Sequence, residues 1–193
     1  MFETGVTVCL TIAILGLASS MVYDRFLARR IAKIEPSTVD FVPNWMEARQ
    51  NGLRVGETGA PLQLIEFIDL QCPACLRFHS ELAAVKEDAG TALSVTYINL
   101  PIAYHPTARA GAKGIMCAHR QQTAERFIEA AFDEQRTLGR AVDSTWLRLA
   151  SSAGVPDTAL FRACFADTTV AAVVDSHLAI AKRLNIPATP TII

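Results

Sequence analysis

The chain has 193 residues, of which 51% are hydrophobic and 19% are charged, and its formal net charge is −1. This composition provides enough apolar side chains for a packed core and too little charge for a disordered chain. It also argues against a nucleic-acid-binding protein, because the sequence has no basic stripe and no aromatic platform. The length fits one ordinary domain once an apolar N-terminal stretch is set apart.

The N-terminal stretch from Thr4 to Tyr23 contains no charged residue. As a helix it would be about 30 Å long, which is the thickness of a bilayer core. We predict that residues 1–24 form a transmembrane anchor, with a cleaved signal peptide and a buried core helix as alternatives. Cys9 lies in this stretch, and we interpret it as a small apolar residue.

The charges around this stretch and the cysteine chemistry point to opposite sides of the membrane. Basic residues follow the stretch, and by the positive-inside rule they would place the rest of the chain in the cytoplasm. The chain also has five cysteines, of which Cys72 and Cys75 are spaced C-x-x-C, and disulfide chemistry at such a pair favours an oxidising compartment. We therefore expect a membrane-anchored domain on the periplasmic or extracytoplasmic side.

Residues 25–60 combine charged residues with Pro43 and several glycines, which predicts a tether, and the domain is expected to span residues 61–193. Trp45 and Met46 are expected to dock on the domain as a short helical or irregular segment.

A βαβ unit is predicted at the start of the domain. The apolar runs 62–70 and 93–100 are typical of buried strands. A helix that begins with Pro73 in its first turn and ends near Gly90 connects them. Strands joined in this way are expected to pair in parallel.

The second half of the domain, from about residue 105 to 184, is predicted to be helical. Residues 106–122 are expected to form one helix, and apolar residues recur at helical spacing further on. Asp143, Asp157 and Asp167 are predicted to cap three later helices. We interpret His177 as a histidine at the edge of the core.

Cys72 and Cys75 form a C-x-x-C motif where the first strand is predicted to pass into the helix. The N-terminus of a helix carries a partial positive charge and free N–H groups, which stabilise a thiolate. Cys72 precedes the helix and is the candidate nucleophile. Cys75 lies about one turn further on and is the candidate resolving thiol.

Other interpretations of the cysteines are possible. Structural zinc usually takes four ligands, and no second ligand pair has suitable spacing, so we predict no metal site and no bound cofactor. A soft-metal carrier that binds Cu(I) through Cys72 and Cys75, and a plain structural disulfide between them, stay open. Cys117 and Cys164 are either disulfide-bonded or two buried free thiols.

The segment EFIDLQCPAC at 66–75, the long helical insertion and the late Thr189-Pro190 pair resemble the thioredoxin superfamily. Within it they resemble the DsbA-like bacterial thiol–disulfide oxidoreductases, over about residues 55–193. The resemblance implies an α/β thioredoxin-like fold with a helical insertion at about 105–184. It also implies that Cys72 and Cys75 are the redox pair.

The resemblance implies roles for three further residues. Glu66 would be a buried acid that relays a proton for Cys75, because a carboxyl in an apolar strand has a raised pKa. Pro190 would be a cis-proline opposite the dithiol, and Thr189 would offer backbone groups to an extended substrate peptide. The alternatives are an outward-facing Glu66 and an ordinary trans Pro190. His79 and His105 are expected at the surface or in packing roles.

The chain departs from this family in two places. Strongly oxidising members have His between the cysteines where this chain has Ala74, so we expect a less oxidising pair. The family continues with a β-hairpin and a closing helix, which are missing after Ile193. We expect either a fragment or a sheet that something else completes.

We therefore predict an enzyme that exchanges thiols and disulfides with protein substrates, as an oxidase or isomerase or as a reductase. A membrane protein or another thioredoxin-like domain would recycle it. The alternative is a redox-inactive binding or scaffold module of a membrane assembly.

Overall fold

The computed structural model describes residues 41–193, and the predicted transmembrane anchor lies outside the described residues. Strands and helices alternate at first and then give way to a run of helices. Their bounds are α1 (Met46–Asn51), β1 (Leu53–Val55), β2 (Leu62–Ile68), α2 (Pro73–Ala89), β3 (Leu93–Asn99), α3 (Ala108–His119), α4 (Ala124–Asp133), α5 (Gln135–Leu138), α6 (Asp143–Ser152), α7 (Thr158–Ala166), α8 (Thr168–Arg183) and β4 (Thr191–Ile192).

The four strands form one sheet in the order β1-β3-β2-β4. β2 and β3 pair in parallel, with Glu66 opposite Tyr97, and α2 connects them. The predicted βαβ unit is therefore confirmed. β1 pairs with β3 and β4 pairs with β2, both antiparallel.

The tether prediction is wrong for part of 25–60. Residues 46–55 form α1 and β1, and β1 is hydrogen-bonded to β3 in the sheet. Gly52 looked like a linker glycine, but a Cβ there would lie 2.4 Å from Cγ2 of Thr96. A glycine lets the chain pass close to β3 at this point, so it serves packing rather than flexibility. Ala48 and Leu53 are buried on either side.

The sheet has a different helical layer on each face, because successive side chains of a strand point to opposite faces. Ile65 and Phe67 of β2 pack with Ile180 of α8, with Leu184 directly after that helix, and with Ala48 of α1. Ile68 of β2 and Val95 and Tyr97 of β3 instead pack in a second core with α2 and the insertion helices.

The helical insertion has a core of its own aromatic side chains. Phe127, Trp146 and Phe161 are all at most 1% exposed, and the rings of Phe127 and Phe161 lie 5.6 Å apart. A disulfide between Cys117 and Cys164 joins α3 to α7. Of the two interpretations of these cysteines, a disulfide or two buried free thiols, the disulfide is therefore confirmed.

Two predicted helix caps are confirmed. The carboxylate of Asp157 accepts the Leu160 N–H, and that of Asp167 accepts the Thr169 N–H. Asp143 is instead the first residue of α6, and Val142 holds the cap position. Between residues 41 and 193, no single helix is long and apolar enough to span a membrane, and α7 with α8 meets that criterion only as a pair bent by 68°.

Removing the disulfide tests how strongly it stabilises the insertion. The C117S/C164S variant frees a loop whose ends are 47 positions apart, and in the chain-entropy model this lowers the free energy of unfolding by about 4 kcal/mol. Urea denaturation of the variant and the parent measures the difference. Equal stability would show that the bridge adds nothing to the fold.

Candidate active site

The dithiol lies where β2 passes into α2. Cys72 is the N-cap of α2 in an extended conformation (φ −78°, ψ 117°), and Pro73 follows in the first turn, where its missing N–H costs no hydrogen bond. The Cys72 N–H donates to Asp69 O at 3.0 Å, and Cys72 O accepts the Cys75 N–H at 3.0 Å. Both cysteines are therefore fixed by the backbone of one helical turn.

The two thiols have different environments. Both are free, and Cys72 is 8% exposed whereas Cys75 is fully buried. Burial raises the pKa of the Cys75 thiol far above its usual range. Cys75 therefore needs a nearby base to ionise, whereas Cys72 can meet a substrate at the surface.

The Thr189–Pro190 bond is cis, and it lies opposite the dithiol. The Cys72 thiol donates to Thr189 O over 3.3 Å, which joins residues 117 positions apart. β4 follows at once and pairs with β2 at Phe67. The Thr189 N–H makes no backbone hydrogen bond within the described chain.

Glu66 lies beneath α2, inside the protein. It alternates with Ile65 and Phe67, so its side chain points to the face where Cys75, Ile68 and α2 pack. It is 0% exposed, and neither carboxyl oxygen has a hydrogen-bond partner among residues 41–193. Burial raises its pKa to about 8, and Lys86 opposes part of that rise. The alternative in which Glu66 faces solvent is wrong, because both faces of β2 are covered by helices.

Comparison with known proteins identifies the family. Residues 48–193 match the family described as thioredoxin. The chain belongs to the thioredoxin family. No curated protein matches it significantly.

Solved structures share this thioredoxin fold. Oxidised BdbD from Bacillus subtilis is 22% identical, with a TM-score of 0.64 over 75% of this chain and 81% of that one. DsbA2 from Pseudomonas aeruginosa is 23% identical, with a TM-score of 0.59 over 73% and 78%. Wolbachia pipientis α-DsbA1 is 21% identical, with a TM-score of 0.61 over 80% and 76%. The predicted thioredoxin-like fold with a helical insertion is confirmed, and the solved structures that share it include two DsbA proteins.

A polar cluster near Glu66 was not foreseen from the sequence of this thioredoxin-family chain. Lys86 on α2 forms an ion pair with Glu125 on α4, and its Nζ lies 3.0 Å from Tyr97 Oη. The Tyr97 hydroxyl donates to Glu125 at 3.1 Å. Tyr97 is the sheet neighbour of Glu66, so this cluster places a cation close to the buried acid. The three residues come from separate elements and form no local motif.

Asp69 is a second residue that sequence reasoning missed. It is 3% exposed, and its carboxylate accepts the N–H groups of Gln71 and Ile102, both at 2.8 Å. His105 Nδ1 lies 2.7 Å from the same carboxylate. Asp69 therefore fixes the loop after β3 against the dithiol loop. An Asp directly after a buried strand was the available signal.

Gln135 from the helical insertion holds the dithiol loop from the other side. Its amide donates to Leu70 O at 2.9 Å and to Cys72 O at 3.0 Å. Both contacts span more than 60 positions, so no local pattern could have revealed them.

The remaining histidines have packing roles. His177 is fully buried rather than at the core edge; its Nδ1 accepts the Asn99 N–H at 3.0 Å and its Nε2 faces Asn51 O. His79 packs on Phe132 with ring centroids 5.1 Å apart, and burial lowers its pKa. In the part of the chain that the structure describes, no three His, Cys, Asp or Glu side chains are grouped to hold a metal.

Replacing Glu66 tests its buried state. The folded pKa of about 8 exceeds the ordinary value of 4.5, so the parent loses stability as pH rises between these values. The isosteric E66Q cannot ionise. We expect the stability of E66Q relative to the parent to rise by about 4 kcal/mol between pH 5 and pH 8.5, because most of the pKa shift is expressed over this range and each pKa unit is worth about 1.4 kcal/mol.

Urea denaturation of the reduced proteins at both pH values measures this difference. E129Q, a change at an exposed glutamate of α4, is the matched control and should show no such trend. A difference between E66Q and the parent that does not grow with pH would contradict the raised pKa.

Proposed function

We propose that this chain is a thiol–disulfide oxidoreductase that acts on protein thiols and disulfides through Cys72 and Cys75. The observation that carries the proposal is the asymmetry of the dithiol. One thiol reaches the surface at a helix N-terminus beside Thr189, and the other is buried on the sheet face to which a buried acid points. Thiol–disulfide exchange needs such a pair of attacking and resolving sulfurs.

In the oxidising direction, the enzyme begins with a Cys72–Cys75 disulfide. A substrate thiolate attacks Cys72 Sγ, the intramolecular S–S bond breaks, and Cys75 leaves with the electron pair. The protonated Glu66 carboxyl supplies the proton that the buried Cys75 sulfur requires. A second substrate thiolate then attacks the substrate sulfur of the mixed disulfide, forms the product disulfide and releases Cys72.

The reducing direction uses the same groups in reverse. The Cys72 thiolate attacks a substrate disulfide and forms a mixed disulfide while one substrate thiolate leaves. Cys75 gives its proton to the Glu66 carboxylate and attacks Cys72 Sγ, which releases the second substrate thiol. A carboxyl whose pKa is about 8 suits both roles near neutral pH.

Thr189 supports the binding of the substrate chain. Its carbonyl lies 3.3 Å from Cys72 Sγ, and its N–H is free within residues 41–193. A peptide strand could therefore pair with this backbone while its cysteine meets Cys72. Main-chain hydrogen bonds of this kind bind peptides with little dependence on their sequence.

The proposal extends to the location of the domain and to its partners. Residues 1–24 would anchor it to the membrane, with the domain on the extracytoplasmic side. The Cys117–Cys164 disulfide supports that side, because structural disulfides persist in oxidising compartments. A membrane protein or a thioredoxin-like domain would then restore the redox state of Cys72 and Cys75.

Trapping of the mixed disulfide tests the proposal. C75S keeps the nucleophile without the resolving thiol, so it should accumulate a covalent complex with a disulfide-bonded protein substrate. C72S should not, because Cys75 is fully buried. Non-reducing electrophoresis and mass spectrometry measure the adduct, and C72S/C75S is the control. Equal trapping by C72S, or none by C75S, would contradict the assignment and favour a scaffold module or a metal carrier.

A further inference from the structure

A short segment of the insertion is fixed beside the dithiol. Besides Gln135, which holds Leu70 O and Cys72 O, the Thr107 hydroxyl lies 2.6 Å from Leu138 O and 3.1 Å from Gln71 Oε1. At Gly139, a Cβ would lie 3.5 Å from Gln71 Nε2. Residues 135–140 are therefore part of the wall next to the nucleophile.

This segment carries two arginines that face solvent. Arg136 and Arg140 are both exposed, and no other side chain in residues 41–193 pairs with either of them. They line an open cavity of about 700 Å³ together with Arg148 and Glu134. Two hydrogen bonds of 2.6 Å join Arg148 to Glu134, so that pair is already neutralised. The positive charges of Arg136 and Arg140 in this cavity therefore have no acidic partner within residues 41–193.

The other walls of the site offer no exposed carboxylate. Residues 101–107 and 186–190 contain no Asp or Glu, and Asp69, the acidic residue of the dithiol loop, is buried against His105. Arg77, five positions after Cys72, is exposed as well. The exposed charged side chains of residues 101–107, 135–140 and 186–190, together with Arg77, are therefore all basic, although the chain as a whole has a net charge of −1.

We propose that Arg136 and Arg140 bind acidic side chains that flank the reacting cysteine of a protein substrate, which makes acidic segments the preferred substrates. The inference rests on the proposed exchange function and names its substrate class. A guanidinium binds a carboxylate through two parallel hydrogen bonds. Charges at the rim of an interface mainly speed association. The backbone at Thr189 would bind any extended peptide, and the arginines would select among them.

Three peptides that differ only at flanking positions test the preference. Each has one cysteine, with flanking residues that are glutamate, glutamine or lysine. The measured quantity is the second-order rate at which each peptide reduces the Cys72–Cys75 disulfide. Each rate is divided by the rate of the same peptide with a small neutral disulfide, because flanking charges also change the reactivity of the peptide thiol.

For the parent protein, we expect the glutamate peptide to react about fivefold faster than the glutamine peptide at low salt, and the lysine peptide to be slowest. The difference should largely disappear near 1 M salt, where charges are screened beyond about 3 Å. Equal normalised rates for the three peptides at low salt would overturn the inference. If none of the three peptides reacts with the parent protein, the proposed thiol–disulfide exchange function itself is contradicted.

Charge reversal separates binding from a structural effect. R136E/R140E should invert the order so that the lysine peptide is fastest, and R136Q/R140Q should make the normalised rates of the three peptides equal. The control variant R126E/R162E changes the net charge by the same amount at exposed arginines of α4 and α7. It should react with the three peptides in the same order of rates as the parent. An unchanged order in R136E/R140E, or the same inversion in R126E/R162E, would contradict the proposed site.

Discussion

The site depends on the junction at which the buried strand β2 passes into α2 at Cys72. The strand is held between β3 and β4, and the helix begins with a proline that cannot extend the strand. This junction presents one sulfur to solvent and seals the other one turn deeper. Gln135 and Thr189 hold the junction from two separate segments, and Asp69 within it binds the loop after β3, so the geometry of the dithiol is a property of the whole domain.

A buried carboxyl without a hydrogen-bond partner is unfavourable for folding, and among residues 41–193 Glu66 is such a group, on the sheet face where Cys75 packs. Such a group stays protonated until the pH approaches its raised pKa, and it can then exchange a proton with a sulfur whose own pKa burial has raised. The Lys86–Tyr97–Glu125 cluster limits how far the pKa of Glu66 rises, since the lysine opposes the effect of burial. Under the proposed function, the stability of the domain and the proton transfer to Cys75 would therefore depend on the same residue.

The sequence predicted the features that local patterns encode. Apolar runs, Pro73 and the C-x-x-C spacing were enough for the βαβ unit and the dithiol, and Asp157 and Asp167 for two caps. Glycines among charged residues suggested a tether at 46–55, because composition does not show that Gly52 packs against β3. The contacts of Asp69 and Gln135, and the wall formed by 135–140, join distant segments and needed the fold.

The reduction potential of the Cys72–Cys75 pair tests the exchange function most directly. The C9S/C117S/C164S variant, equilibrated with glutathione buffers, restricts the measurement to this pair. We predict a reversible two-electron couple between about −120 and −270 mV, with values near −120 to −180 mV for an oxidase or isomerase and near −270 mV for a reductase. Absence of a reversible couple in the folded protein would contradict the exchange function.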